Sequence, residues 1–231
     1  MSHPEGDRDR QALIDRQRAN WEQTFASNPG IYGPLPSAPG IYAVERFVAE
    51  GISRVLELGP GPGRDTVALL DAGIQVTALD YAAGPLAGIA TAAGPELALK
   101  LTTMVHDVRQ PLPLPSASFD ASYSHMLFTM ALSSEELVAL AREVHRVLRL
   151  GGLCVYTVRH VGDPHCGGGR ALGDNLYENG GFVVHFFDPV LVERLASGFE
   201  IEDWTEFEEG DLPRRLWRIT MRRSDTSAPA L

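Results

Sequence analysis

The stretch from Val55 to Ala82, VLELGPGPGRDTVALLDAGIQVTALDYA, constrains the fold more than any other part of the chain. A strand is expected at Arg54–Leu58, apolar from Val55 on, and Gly59, Gly61 and Gly63 follow it at once. Asp65 comes next, where the first turn of a helix favours a carboxylate. Val67, Leu70 and Ile74 then supply an apolar helix face. A second apolar strand, Gln75–Asp80, closes the unit on an acid. Strand, tight turn, helix and strand in this order describe a parallel pair joined by a crossover helix, which places the chain among α/β proteins.

Spacing decides what such a turn holds. A dinucleotide fold wants G-x-G-x-x-G, which lays a pyrophosphate on a helix N-terminus. Here the order is Gly59-x-Gly61-x-Gly63, and Arg64 stands where the third dinucleotide glycine would be. Pro60 and Pro62 remove two N–H donors that a phosphate would use. The glycine–lysine signature of a nucleoside triphosphate loop is missing as well. The turn therefore reads as a place of close backbone approach. Asp80, at the C-terminal edge of its strand, is positioned to accept both hydroxyls of a ribose, and Glu57 adds an acceptor beside the same crevice. The expected ligand is a nucleoside without a phosphate bridge. The plainer alternative is a glycine turn and a capping acid in an α/β protein of any function.

Strand-like and helix-like patterns alternate through the rest of the chain. Further strands are expected at Leu99–His106, Phe119–Ser124, Gly152–Arg159, Glu200–Phe207 and Arg215–Met221. The first five of the seven suit strands covered on both faces. The last two follow one another without a helix, which marks an antiparallel ending. Ser133 and Glu136 form a capping-box pair, after which Leu137, Leu140, Ala141, Val144 and Val147 recur at helical spacing and Gly151 or Gly152 ends the helix. Asp188 followed by Pro189 starts another helix. Residues 1–10 and the tail 224–231 are expected to be poorly ordered.

As a set, these residues resemble the class I S-adenosylmethionine-dependent methyltransferases, in particular small bacterial and archaeal ones. The glycine loop and following acid match that family, as do HDV at 106–108, FDASYSHM at 119–126 and EVHRVLRLGGLCVYTVR at 143–159, together covering about residues 50–160. The resemblance implies a doubly wound, seven-stranded, mostly parallel Rossmann-like sheet with an antiparallel last strand and helices on both faces, over residues 43–223. It implies S-adenosylmethionine as cofactor and S-adenosylhomocysteine as product. Gly59, Gly61 and Gly63 would lie under the amino-acid part of the cofactor, with Glu57 near its amino end. Asp80 would hold the ribose, Tyr81 would border the adenine, and Asp107 with the backbone of Val108 would meet the adenine edge. Ser124 and His125 would lie near the sulfonium and the acceptor.

Methyl transfer needs an acceptor held in line and, where the nucleophile requires it, a base. His125 is the first choice for that base, followed by His160 and His185, each with the alternative of a satisfied, partly buried histidine. Tyr32, Phe128, His165, Tyr177 and Asn179 are the expected acceptor contacts. His160, His165, Cys166 and His185 have the residue types of a metal site without a common zinc spacing, so no metal is expected. The glycine-rich segment 162–187 reads either as a lid or as a loose connection, and residues 1–42 either as a helical cap over the cleft or as packing on the domain edge.

With 20 Lys and Arg against 30 Asp and Glu, the chain carries a formal charge of −10, which disfavours nucleic acid as a partner. No apolar run is long enough for a bilayer and no secretory signal is visible, so a cytoplasmic monomer or homodimer acting on a small molecule is expected. The alternatives are methylation of a protein or RNA, and cofactor binding without methyl transfer.

Overall fold

The computed structural model describes the backbone of residues 4–210 and 214–224, and side chains from residue 12 onward. Its seventeen elements among those residues are, in chain order, α1 (Pro4–Ser27), α2 (Ala38–Ala49), β1 (Arg54–Leu58), α3 (Arg64–Asp71), β2 (Gln75–Asp80), α4 (Ala83–Ala93), α5 (Pro95–Ala98), β3 (Leu101–Val105), β4 (Phe119–His125), α6 (Ser134–Val147), β5 (Leu148–Arg159), β6 (Arg170–Gly173), β7 (Leu176–Asn179), β8 (Phe182–His185), α7 (Pro189–Leu195), β9 (Phe199–Glu209) and β10 (Arg214–Arg223). Seven strands form one sheet in the order β3-β2-β1-β4-β5-β10-β9. β1 pairs in parallel with both β2 and β4, and β10 runs antiparallel to β5 and β9. This is the doubly wound, mostly parallel, Rossmann-like sheet with an antiparallel strand near its end. The order reverses between β1 and β4, and a ligand crevice opens at such a switch point beyond the C-terminal ends of the strands.

Side-chain alternation splits the core into two layers. Leu56 and Leu58 of β1 and Cys154, Tyr156 and Val158 of β5 pack under α6 and α7, through Leu137, Leu140, Val144, Val147, Leu191 and Leu195. Val55, Val76, Leu153 and Val155 face the opposite way, against Phe47 of α2, Leu69 and Leu70 of α3, and Leu86 and Ile89 of α4. The expected caps form: the Ser133–Glu136 box opens α6, and Asp188 accepts from Leu191 N–H at α7. No helix among the described residues is long and apolar enough to cross a membrane.

Four expectations about the elements change. β3 is the sheet edge, not a strand covered on both faces; Val105 is exposed and Leu99 lies outside the strand. α6 ends at Val147, because Leu148 already takes extended dihedrals and begins β5; Gly151 and Gly152 are in the strand. Residues 170–185 form a three-stranded antiparallel sheet, β6-β7-β8, where glycine content argued for irregular chain. α1 begins at Pro4, inside the stretch expected to be poorly ordered. Of the expected tail, Ser224 donates its N–H to Gly198 O at 3.0 Å, and residues 225–231 lie outside the described residues.

α1 ties the small sheet to the large one. Gln17 is buried, donates to Gly181 O at 2.9 Å and accepts from Val183 N–H at 3.0 Å. Asn20 also donates to Gly181 O, and Trp21 packs on Phe182 with ring centroids 4.9 Å apart.

Candidate functional site

A cavity of about 370 Å³ lies at the switch point, within the usual size of a small-molecule site. Its floor is the β1–α3 turn and the ends of β2 and β4. Its roof is the C-terminal half of α1 with Ile31 and Tyr32, and its far wall is the tip of the β9–β10 hairpin.

At the floor, Glu57 is buried, its Oε2 has no hydrogen-bond partner, and its carboxyl is pushed up to about 8. Burial is the main cause; the Thr66 hydroxyl opposes it, and the charges of Asp65 and Asp80 add to it. Asp80 is buried too, and burial raises its carboxyl against the pull of backbone N–H groups. Those donors are Ala82 N–H at 2.9 Å and Gly61 N–H at 3.4 Å. Asp65 also lines the cavity, but it accepts from Ser37 N–H, Ser37 Oγ and Tyr123 Oη at 2.7, 2.7 and 2.8 Å. That engagement fixes the start of α2 over the turn. Gly40 is required there, because a Cβ would lie 2.4 Å from Asp65 Oδ1.

The glycines of the turn have left-handed φ of 71°, 53° and 88° at Gly59, Gly61 and Gly63. The close approach inferred from the sequence is made partly by the protein itself. A Cβ on Gly59 would meet Leu127 and one on Gly63 would meet Ile89, each at 2.7 Å. Only Gly59 and Gly61 of the three reach the cavity; Gly63 caps α3 and packs inward.

Farther along, Tyr81, Asp107 and Val108 line one end. Asp107 is gripped by Arg109, with Nε and Nη2 at 3.0 and 2.6 Å, which holds its carboxyl below the usual range although burial alone would raise it. At the opposite end His125 leaves β4. Its Nδ1 lies 2.8 Å from Thr157 Oγ1 and its Nε2 3.2 Å from Glu209 Oε1. Burial works to raise Glu209, but the His125 hydrogen bond and the charges of His125, Arg214 and Arg64 hold it below the ordinary carboxylate range. An ionised carboxylate only accepts, so Nε2 carries the proton. Thr157 Oγ1 accepts from Met126 N–H at 3.0 Å, which leaves its own hydrogen for Nδ1. Met126 sits at φ 70°, a strained backbone that turns the chain sharply after the histidine.

The cavity therefore gathers Tyr32, Glu57, Gly59, Gly61, Asp80, Tyr81, Asp107, Val108 and His125 from the residues expected at the site. The rest lie elsewhere, each for a visible reason. Ser124 donates to Leu58 O at 3.0 Å and braces β4 on β1. Phe128 stacks on Tyr156 in the core at 4.8 Å. His160 stacks flat on Trp217 at 4.4 Å and accepts from Gly162 N–H. His185 is fully buried and its Nδ1 donates to Leu132 O at 2.7 Å. His165 belongs to an ion cluster with Asp163 and Arg159 outside the cavity. Tyr177 packs edge-on against Phe186, and Asn179 is exposed at the end of β7. No group of three or more His, Cys, Asp or Glu among the described residues is placed to hold a metal.

Sequence reasoning missed Arg64, Arg109, Glu209 and Arg214, whereas Trp21 and Phe25 lie in the segment read as a cap or as edge packing and line the cavity. Arg64 was visible as the residue closing the glycine pattern. Glu209 gave no signal, since only a hairpin 84 residues on brings it to His125.

Residues 55–152 match the family model described as methyltransferase domain. Malonyl-acyl-carrier protein O-methyltransferase of Enterobacter lignolyticus is 33% identical over 115 residues, which are 48% of this chain and 41% of that protein. The match thus spans about two fifths of the relative's length. Burkholderia thailandensis 1,6-didemethyltoxoflavin-N1-methyltransferase, solved with its substrate and S-adenosylhomocysteine, shares the fold at a TM-score of 0.69 and 22% identity, over 97% of this chain and 92% of its own. The cyclase SpnF superposes nearly as well, at 0.68 and 20% identity over 90% and 94%, so the fold by itself does not name a reaction. Residues 55–152 thus match a methyltransferase-domain model, and the architecture around them is the fold shared with these solved structures.

Proposed function

We propose that the chain transfers the methyl group of S-adenosylmethionine to O, N or S of a small organic molecule, with His125 as general base. The observation that carries this reading is one cavity with unbalanced buried acids at one end and a hydrogen-bonded histidine at the other. The residues present fit the cofactor. The partnerless Glu57 Oε2 suits an ammonium, and Asp80 suits the two hydroxyls of a ribose. When bound, the cofactor supplies an electrophilic methyl on a sulfonium.

The chain's own part is placement and proton handling. Tyr81 and Val108 give the adenine end apolar walls, and α1 covers the turn. An acceptor X–H entering the 3.2 Å contact between His125 and Glu209 displaces the carboxylate from Nε2. His125 exchanges tautomer through solvent water, which takes the Nε2 proton and delivers one to Nδ1. The Thr157 hydroxyl rotates to accept from the new Nδ1–H, and Nε2 offers its lone pair to the acceptor's proton. The imidazolium formed is stabilised by Glu209, which is ionised and adjacent. The described part of the N-terminal segment, residues 4–42, acts as the cap of this site, and the 162–187 segment as the layer that supports the cap through Gln17 and Trp21.

A calorimetric titration with S-adenosylhomocysteine, combined with methyl-labelled cofactor and a panel of small hydroxy, amino and thiol acceptors, tests the reading. Saturable binding with label in at least one acceptor is expected. Binding without transfer to any small molecule, protein or RNA acceptor favours a cofactor-binding protein of another activity.

A further inference from the structure

Among the described residues, the acceptor end of the cavity carries more positive charge than its carboxylates balance. Glu209 Oε1 lies 3.2 Å from His125 Nε2 and 3.5 Å from Arg64 Nη2, while its Oε2 lies 3.9 Å from Arg214 Nη2. Charge-assisted N–H···O contacts close to about 2.7–2.9 Å, so neither guanidinium grips this carboxylate, which His125 holds by one hydrogen bond. Among the described residues, two guanidiniums face a single carboxylate, which leaves one positive charge beside the histidine. The contrast with the other end is direct, where Arg109 and Asp107 are closed to 2.6 Å. Arg64 also donates to Tyr32 O at 3.1 Å and lies over the Tyr32 ring, which fixes its stem. Among the described residues, the long approach to Glu209 is the one ion pair or hydrogen bond of the Arg214 guanidinium, while its backbone pairs in the β9–β10 ladder. Phe25, Ile31 and Leu127 make the neighbouring wall apolar.

We propose that the methyl acceptor carries a carboxylate, seated on the Arg214 and Arg64 guanidiniums, on an apolar body that brings its reacting atom to His125 Nε2. The inference rests on the methyltransferase reading above. A carboxylate makes the cluster neutral and matches the planar fork of arginine, whereas a neutral acceptor leaves the extra charge in a partly dry site. The amino-acid part of the cofactor also bears a carboxylate, so the test has to separate the two sources.

Protein saturated with S-adenosylhomocysteine is titrated with three acid and amide pairs: 4-hydroxybenzoate and 4-hydroxybenzamide, phenylacetate and phenylacetamide, glutarate and glutaramide. At least one acid is expected to bind about tenfold more tightly than its amide, the advantage of a charge-assisted pair over a neutral one. Arg214→Gln is expected to erase that preference while leaving S-adenosylhomocysteine affinity unchanged. Glu209→Gln, which removes the competing carboxylate, is expected to strengthen acid binding and keeps the question answerable if the arginine variant fails to fold. Acids and amides binding alike, or neither binding, overturns the proposal. So does an Arg214→Gln variant that loses cofactor-product affinity but keeps the acid preference, because the guanidinium then serves the cofactor's own carboxylate. Absence of S-adenosylhomocysteine binding by the wild type would instead remove the methyltransferase reading itself.

Discussion

The two ends of the cavity are opposites in electrostatic terms. At the β1–β2 end, Glu57 and Asp80 are buried acids whose carboxyls are both raised, and Glu57 has an oxygen without a partner. At the β4 end, His125 has both ring nitrogens engaged, by Thr157 and Glu209, amid two arginines. The first end is incomplete without a cation and hydroxyl donors. The second end joins a histidine hydrogen-bonded on both nitrogens to two arginines that approach Glu209 only at long range. On the proposed function, the difference divides the work: the buried acids bind, and the histidine, whose donors and acceptors can exchange partners, handles the proton.

The largest test of that division is His125→Ala. Turnover is expected to fall by about 10²–10⁴, the usual contribution of a positioned acid or base, with S-adenosylhomocysteine affinity nearly intact. Steady-state rates and calorimetry read the two quantities separately, and unchanged turnover would dissolve the contrast between the ends. Asp80→Ala is the reciprocal change. Loss of hydrogen bonds to a charged acceptor, worth about 1.5–3 kcal/mol each, is expected to weaken S-adenosylhomocysteine by about tenfold or more.

Glu57 sharpens the comparison through pH. Its carboxyl lies near 8 in the folded chain against an ordinary 4.5, so the folded state keeps a proton that the unfolded state releases between those values. Stability of the ligand-free protein therefore falls as pH rises across that window, by up to about 1.4 kcal/mol per pH unit from this group. Glu57→Gln should flatten that slope in denaturant titrations run from pH 5 to pH 8. An arriving ammonium draws the carboxyl back to its ionised form. Near neutral pH, S-adenosylhomocysteine binding should then release a proton in the wild type and not in the variant, visible as a buffer-dependent enthalpy.

Smaller effects concern the roof. Gln17→Ala removes a donor to Gly181 and the acceptor for Val183 N–H, a buried loss of about 1–3 kcal/mol. It should speed amide exchange in β8 and α1 while leaving exchange in β1 and β4 unchanged. Equal exchange everywhere would show that the small sheet holds its place without α1.

The cavity floor was legible in the sequence because its residues are local. β1, the glycine turn, α3 and β2 form one continuous segment, and the spacing of Gly59, Gly61, Gly63 and Asp80 encodes its shape directly. The same locality recovered β1 and β2 to the residue and the capping box of α6. The roof was left open between a cap and edge packing, and the far wall was hidden, because both come from distant segments. Trp21 and Phe25 reach the turn only through the path of α1, and Glu209 reaches His125 only through the length of β9. Histidine content misled for a related reason. His160 and His185 have the right chemistry, but aromatic stacking on Trp217 and a bond to Leu132 O hold them in the fold, and no sequence period distinguishes such histidines from His125. The 170–185 segment misled through composition: Gly173 and Gly180 fall at its turns, with β-strands between them, so glycine there punctuates a sheet.

Calorimetric titration of S-adenosylhomocysteine into the wild type, His125→Ala and Asp80→Ala proteins tests the central claim most directly. Saturable one-site binding of similar strength in the first two and clear weakening in the third is the predicted result. No heat of binding in the wild type, or equal affinity in all three, would contradict it.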